Sequence, residues 1–184
     1  MKKATLIIAV IMILSVLTYA DSRFMVSVSG NLLMPSDEDF KVIYSSSVIY
    51  PEVKAGLKIY DNLYAWSAYG FFKKDGVTPV LDIEVTSTQN FLSFGAGYLV
   101  KLTEKLSLDI AAGLASISYK EEAMGIEISG SKMGFQADAG ICLTLWEGFF
   151  TILHAGYIGA KDTVNSLEVN LGGIQFGIGI GIFF

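Results

Sequence analysis

Six side chains able to carry charge or hydrogen-bond to it recur at period-two spacing in otherwise apolar stretches. They are Glu52, Lys54 and Lys58, then Asp109, then Gln136 and Asp138. Alternate residues of an extended chain share one face, so each group would project into a common space. Buried charges have to be paired and hydrogen-bonded. The pattern therefore predicts a polar, salt-bridged network, with a gated polar path as its alternative. Counted from the adjoining short turns, Lys54 and Asp138 fall at similar heights, as do Lys58 and Asp109, which predicts those two pairs. Four other features invite chemistry and are assigned none. Cys142 is the single cysteine, so no internal disulfide and no multi-cysteine zinc site is available; it falls on the same face as the polar group and reads as packing. Gly177, Gly179 and Gly181 mimic a dinucleotide loop, but that loop has to open a helix, and these glycines continue a strand. Asp37-Glu38-Asp39 and Glu121-Glu122 could hold a hard cation, yet read as solvated charge runs. His154, the single histidine, reads as a strand residue. No catalytic, cofactor or metal site is expected.

The elements that would carry these residues are strands. At the end of the chain Ile174, Phe176, Ile178, Ile180, Ile182 and Phe184 alternate with Gly173, Gln175, Gly177, Gly179, Gly181 and Phe183. One face is large and apolar; the other is mostly glycine. The same alternation runs through Phe24/Val26/Val28, Val53/Ala55/Leu57/Ile59, Leu92/Phe94/Ala96/Tyr98/Val100, Leu106/Leu108/Ile110/Ala112/Leu114 and Met133/Phe135/Ala137/Ala139/Ile141/Leu143. Two further strands, over 63–72 and 149–159, have ambiguous faces. The connections alternate: long (33–48), short (61–62), long (73–88), short (103–105), medium (121–132), short (146–148) and medium (160–169). Eight strands with short turns at one end and longer loops at the other predict an all-β, eight-stranded antiparallel up-and-down transmembrane barrel. Its interior would be just wide enough for side chains to fill, which favours the plug over the path. Tyr60, Tyr64, Trp66, Trp146, Phe149 and Phe150 cluster near the short turns and suit an aromatic belt at a membrane interface; ordinary core aromatics are the alternative.

Composition agrees. The 184 residues are 52% hydrophobic and 17% charged, with mean hydropathy +0.52, whereas a soluble domain carries roughly 25% charged residues. The formal charge of −5 argues against nucleic-acid binding, which wants a basic face. Met1-Lys2-Lys3, an apolar run over 4–17 and Thr18-Tyr19-Ala20 have the layout of a secretory signal peptide. Residues 1–20 are expected to be cleaved, leaving 21–184 as the barrel; a retained anchor is the alternative. Cleavage would remove Lys2 and Lys3 and take the charge from −5 to −7.

On these residues the chain resembles the small eight-stranded outer-membrane β-barrels, the OmpA/OmpX-like domains, over essentially all of 21–184. The most specific part is the last strand: Ile178, Ile180, Ile182 and the terminal Phe184 look like the C-terminal signal read by the outer-membrane barrel assembly machinery. The resemblance implies an integral outer-membrane protein of a Gram-negative-type envelope, in contact with outer-membrane lipids and lipopolysaccharide, and a monomer. Some such barrels modify lipid A with a Ser–His pair. Here Ala155-Gly156 follows His154, so the local His-x-Ser arrangement is missing and no enzyme is expected. The leading function is an envelope structural or surface-interaction role through four external loops. The alternative is a narrow channel or a lateral path for small hydrophobic molecules. A soluble lipocalin-like binder would need the large apolar face turned inward.

Overall fold

The computed structural model describes residues 23–164 and 167–184; the expected leader lies outside them. Eight strands follow in order: β1 (Phe24–Pro35), β2 (Val48–Tyr60), β3 (Leu63–Val77), β4 (Glu84–Lys101), β5 (Leu106–Ala123), β6 (Ile126–Trp146), β7 (Phe149–Val164) and β8 (Leu167–Phe183). Each pairs antiparallel with its sequence neighbour, and β1 pairs with β8, so the sheet closes into an up-and-down barrel. One short helix, α1 (Glu38–Ile43), lies between β1 and β2. Asp37 caps it, its side chain accepting from the Phe40 N–H at 3.0 Å.

The period-two faces explain the closure. Val28, Val53, Leu92, Phe94, Ile110, Leu114, Phe135, Ile141, Ile178 and Ile180 all point outward and are exposed. Outward charge begins only toward the long-connection end, at Lys73, Glu84, Lys120, Glu127, Lys161 and Glu168. An apolar surface running round every strand far exceeds the patches a soluble monomer shows; it fits a hydrocarbon solvent, where closed barrels satisfy every backbone group. On β8, Ile174 to Ile182 supply the roughly 9–11 residues that a tilted strand needs to cross. The two strands whose faces were ambiguous are now assigned: Tyr64, Trp66, Ala68 and Phe72 of β3, and Phe150 and Ile158 of β7, are buried inside. This corrects the aromatic belt. Tyr60, Trp146 and Phe149 face out near the short turns, but Tyr64, Trp66 and Phe150 fill the lumen.

The loops are corrected too. Most of 73–88 and 121–132 is paired strand, not loop. β3 and β4 pair up to Val77–Glu84, and β5 and β6 up to Ala123–Ile126. Met124 and Gly125, at φ +50° and +80°, make the two-residue turn of a tight hairpin. Polar alternation such as Ser116, Ser118 and Lys120 keeps the strand period while losing the apolar face. At this end the barrel wall divides. β6 pairs with β7 only up to Phe135–Gly159, and β2 with β3 only up to Glu52–Gly70. Pro51, the next residue on β2, has no N–H to offer the ladder. The upper parts of β3 to β6 therefore rise as one four-stranded flap with unpaired edges on β3 and β6.

Candidate functional site

The lumen is filled in three layers. At the short-turn end Met25, Tyr64, Trp66, Ala68, Ala111, Cys142 and Phe150 pack together. At the other end a larger cluster is built on Leu33, Tyr50, Phe72, Phe91, Ile117 and Ile158, with Phe40 of α1 inserted from above. Phe40 lies 4.6 Å from Tyr44 and 6.1 Å from Phe72, centroid to centroid. Tyr44 donates to Glu121 on β5, and the Asn170 N–H donates to the Asp37 carboxylate at 3.0 Å. These two bonds hold α1 across the mouth. Burial is the main influence on Glu121 and raises its carboxyl above the usual range.

Between the two apolar layers sits the polar one. Glu52 and Lys54 come from β2, Asp109 from β5, Gln136 and Asp138 from β6, and His154 from β7. Lys54 reaches Asp109, Nζ to Oδ2 at 3.6 Å, with side-chain exposures of 14% and 7%. It lies 5.0 Å from the Trp66 ring centroid and 5.5 Å from that of Tyr64, a cation–π arrangement in a desolvated space. The Tyr64 hydroxyl donates to Asp109 and accepts from Lys54 at 3.4 Å. Asp138 is served by amides: Gln175 Nε2 donates at 2.7 Å and Gln136 Nε2 at 2.8 Å, with His154 Nδ1 at 3.8 Å. Tyr50 donates to the Gln175 carbonyl.

Neither expected pair forms. Lys54 takes Asp109 rather than Asp138, and Lys58 is exposed at the short-turn mouth, away from Asp109. Counting from the turns treats strands as upright, whereas barrel strands tilt and stagger. Tyr50, Gln175 and Asn31 belong to the layer and were not singled out from the sequence as polar-network residues, and Tyr64, expected in the aromatic belt, joins them. Parity was their available signal: Tyr50 continues the spacing of Glu52 and Lys54, Asn31 that of Ser27 and Ser29, and Gln175 stands alone among inward glycines. Inward glycines make room for these groups. A Cβ on Gly97 would lie 2.3 Å from the Tyr64 ring, and one on Gly177 within 2.1 Å of both Asn31 Oδ1 and His154 Nε2. Cys142 is buried in the lower layer, and Ile178 and Ile180 face outward as expected of the last strand. Phe184 stacks on Phe24 with centroids 6.1 Å apart.

Open space is unequal. A vestibule of about 680 Å³ at the short-turn mouth is lined by Arg23, Lys58, Lys101, Asp61, Glu104 and the apolar floor of Met25, Leu99 and Phe183. Above it the space shrinks to about 10 Å³ beside Cys142 and Lys54, and about 20 Å³ beside Glu52, Asp138 and His154. Among the described residues the two apolar layers, with Tyr50, Phe91 and Ile117 fully buried, fill the lumen on either side of these spaces.

No protein-family model matches the chain, and no curated protein does. Solved structures do. The outer membrane protein OprG from Pseudomonas aeruginosa aligns at TM-score 0.70 and 12% identity, over 88% of this chain and 95% of that one. The N-terminal β-barrel domain of Pseudomonas aeruginosa OprF aligns at 0.59 and 16%, over 89% and 98%. Ail, the attachment invasion locus protein of Yersinia pestis, aligns at 0.58 and 14%, over 90% and 100%. The chain has the fold of the small eight-stranded outer-membrane barrels.

Proposed function

We propose that the protein is exported, loses residues 1–20, and stands in the outer membrane as a non-enzymatic, monomeric barrel. Its short turns face the periplasm and its divided end faces outward. Outer-membrane lipids and lipopolysaccharide surround the belt, and the last strand, through Ile178, Ile180, Ile182 and Phe184, engages the barrel assembly machinery. The role is structural or surface-interacting. One observation carries this reading: two apolar layers fill the lumen, while the flap of β3 to β6 rises past the last β6–β7 pair, its β6 edge without a ladder partner from Ile126 to Gly134 and tied to β7 through Lys132 and Asp162. An unpaired edge is a template for an added strand. Ail has been solved with a heparin analogue, sucrose octasulfate. The outer hairpins here carry Asp75, Asp82, Glu84, Glu122 and Glu127 against Lys73, Lys74, Lys120 and Lys132, with Lys120 paired to Glu122 and Glu127, so no basic patch for a polyanion stands out on this flap.

The channel alternative draws on the unpaired stretch above Pro51, where a lateral path would open, but Tyr50 fills it and is fully buried. Planar-bilayer recording decides between them. The plugged reading expects no discrete conductance steps from the folded barrel; steps lost on Tyr50→Trp would establish the channel. Complementation separates the two roles that remain. A barrel with both tip hairpins shortened restores envelope integrity to a deletion strain if the role is structural, and fails to if the flap is the working part.

A further inference from the structure

The polar layer is short of positive charge. Three carboxylates, Glu52, Asp109 and Asp138, face one ammonium, Lys54, and one imidazole, His154, around the small upper chamber. Even with the imidazole protonated, one negative charge has no counterpart. The shortage falls on Glu52. Lys54 and Tyr64 serve Asp109; Gln136, Gln175 and His154 serve Asp138. Glu52 is 5% exposed and makes no direct hydrogen bond or ion pair among the described residues, with Lys54 and His154 facing it only across the chamber. Its carboxylate lines the chamber of about 20 Å³ together with Ser27, Ser29, Lys54, Asp109, Asp138 and His154. That volume admits one water-sized occupant. An isolated buried carboxylate is among the most expensive groups a protein can hold. Tyr50, Phe91 and Ile158 seal the chamber from above, and below it the 10 Å³ space beside Lys54 leads toward the vestibule.

We propose that this chamber binds one small monovalent cation, either a proton on the carboxylate or a desolvated alkali ion, as the missing counter-charge between Glu52 and Asp138. The inference stands on the lumen and not on the outer hairpins, so it survives or fails separately from the proposed role of the flap.

The test is urea unfolding of the whole barrel in zwitterionic micelles at fixed ionic strength, read as the loss of heat-modifiable mobility. One arm exchanges choline chloride for sodium chloride at pH 8. The other keeps choline and lowers the pH from 8 to 6. Binding to the folded state alone raises the folding constant by up to tenfold for each tenfold rise in free sodium, or by up to tenfold per pH unit for one linked proton. The wild type should respond in one arm: sodium identifies the alkali ion, acid alone identifies the proton. Glu52→Gln, which removes the charge and keeps the shape, should lose that response, and Asp39→Asn on exposed α1 should keep it. Asp138→Asn tests the same shortage from the facing wall if Glu52→Gln does not fold, and the sodium arm on the wild type needs no variant. A wild type indifferent to both arms, or a Glu52→Gln barrel that responds as strongly as the wild type, means a neutral water fills the chamber and overturns the proposal.

Discussion

Lys54 and Asp109 should be energetically coupled, and Lys54 and Asp138 should not be coupled comparably. The charged atoms of the first pair lie 3.6 Å apart with side chains only 14% and 7% exposed. At an effective dielectric of about 20, that separation corresponds to a gross attraction of about 4.6 kcal/mol. Desolvation offsets part of it, and Tyr64 already gives Asp109 one hydrogen bond. A net coupling of about 2 kcal/mol is left, close to 30-fold in the folding constant. Lys54→Met keeps the stem against Trp66 and removes the charge; Asp109→Asn keeps the shape. Lys54→Met strands the buried Asp109 carboxylate and should lower stability by about 3 kcal/mol; Asp109→Asn leaves Lys54 facing Glu52 across the chamber and should cost less. The double variant should lose about 2 kcal/mol less than the sum. The assay is urea unfolding followed by gel mobility, which avoids Trp66 fluorescence as a reporter. Strict additivity for Lys54 and Asp109, or a larger coupling between Lys54 and Asp138, would refute the pairing on which the middle layer is built.

Three other outcomes follow from the same geometry. The two tryptophans report opposite faces, Trp66 at 4% exposure and Trp146 at 62%: in lipid vesicles, brominated lipid should quench the Trp66→Phe variant, whose remaining indole is Trp146, far more than the Trp146→Phe variant. Gly97→Ala should cost about 1–3 kcal/mol by driving a methyl into the Tyr64 ring, whereas Gly30→Ala, with nothing within 4 Å, should be neutral or stabilising by up to about 1 kcal/mol; the paired unfolding midpoints check both. Asp162, toward the outer end of β7, accepts from the Tyr119 hydroxyl at 2.8 Å and meets Lys132 at 3.1 Å; the Tyr119 bond foremost holds its carboxyl below the usual range. A lowered carboxyl contributes stability above the unfolded value near 4 and loses it as pH falls through the folded one, so amide protection over 130–134, corrected for intrinsic rates, should be flat from pH 7 to 5 and drop only below about pH 4. A steady decline already between pH 7 and 5 would contradict that anchor.

How much of this was legible in the sequence depended on what each face had to carry. Strands with large residues on one face and small or polar ones on the other, such as 133–143 and 174–184, declared both their period and their orientation. β3 did not, because Tyr64, Trp66 and Phe72 fill the lumen while Leu63, Tyr69 and Phe71 face outward, and size no longer distinguishes the faces. The flap was hidden for the opposite reason: beyond the belt neither face of β5 or β6 is consistently apolar, so Glu122, Glu127 and Ser129 read as loop. The polar layer was legible as a list of residues but not as pairs. Its pairing depends on stagger around the closed sheet and on the reach of side chains such as Lys54, and no single strand encodes either.

The central claim is a closed barrel held in an outer membrane by its outward apolar belt. The most direct measurement is gel mobility of the membrane fraction in SDS, with and without boiling, on the full chain expressed in a Gram-negative cell. The account predicts an outer-membrane band that migrates as a compact species until heated and then shifts to its unfolded mobility. A protein recovered in the soluble periplasm with one mobility under both conditions would contradict it, and would mean that the apolar face packs inward.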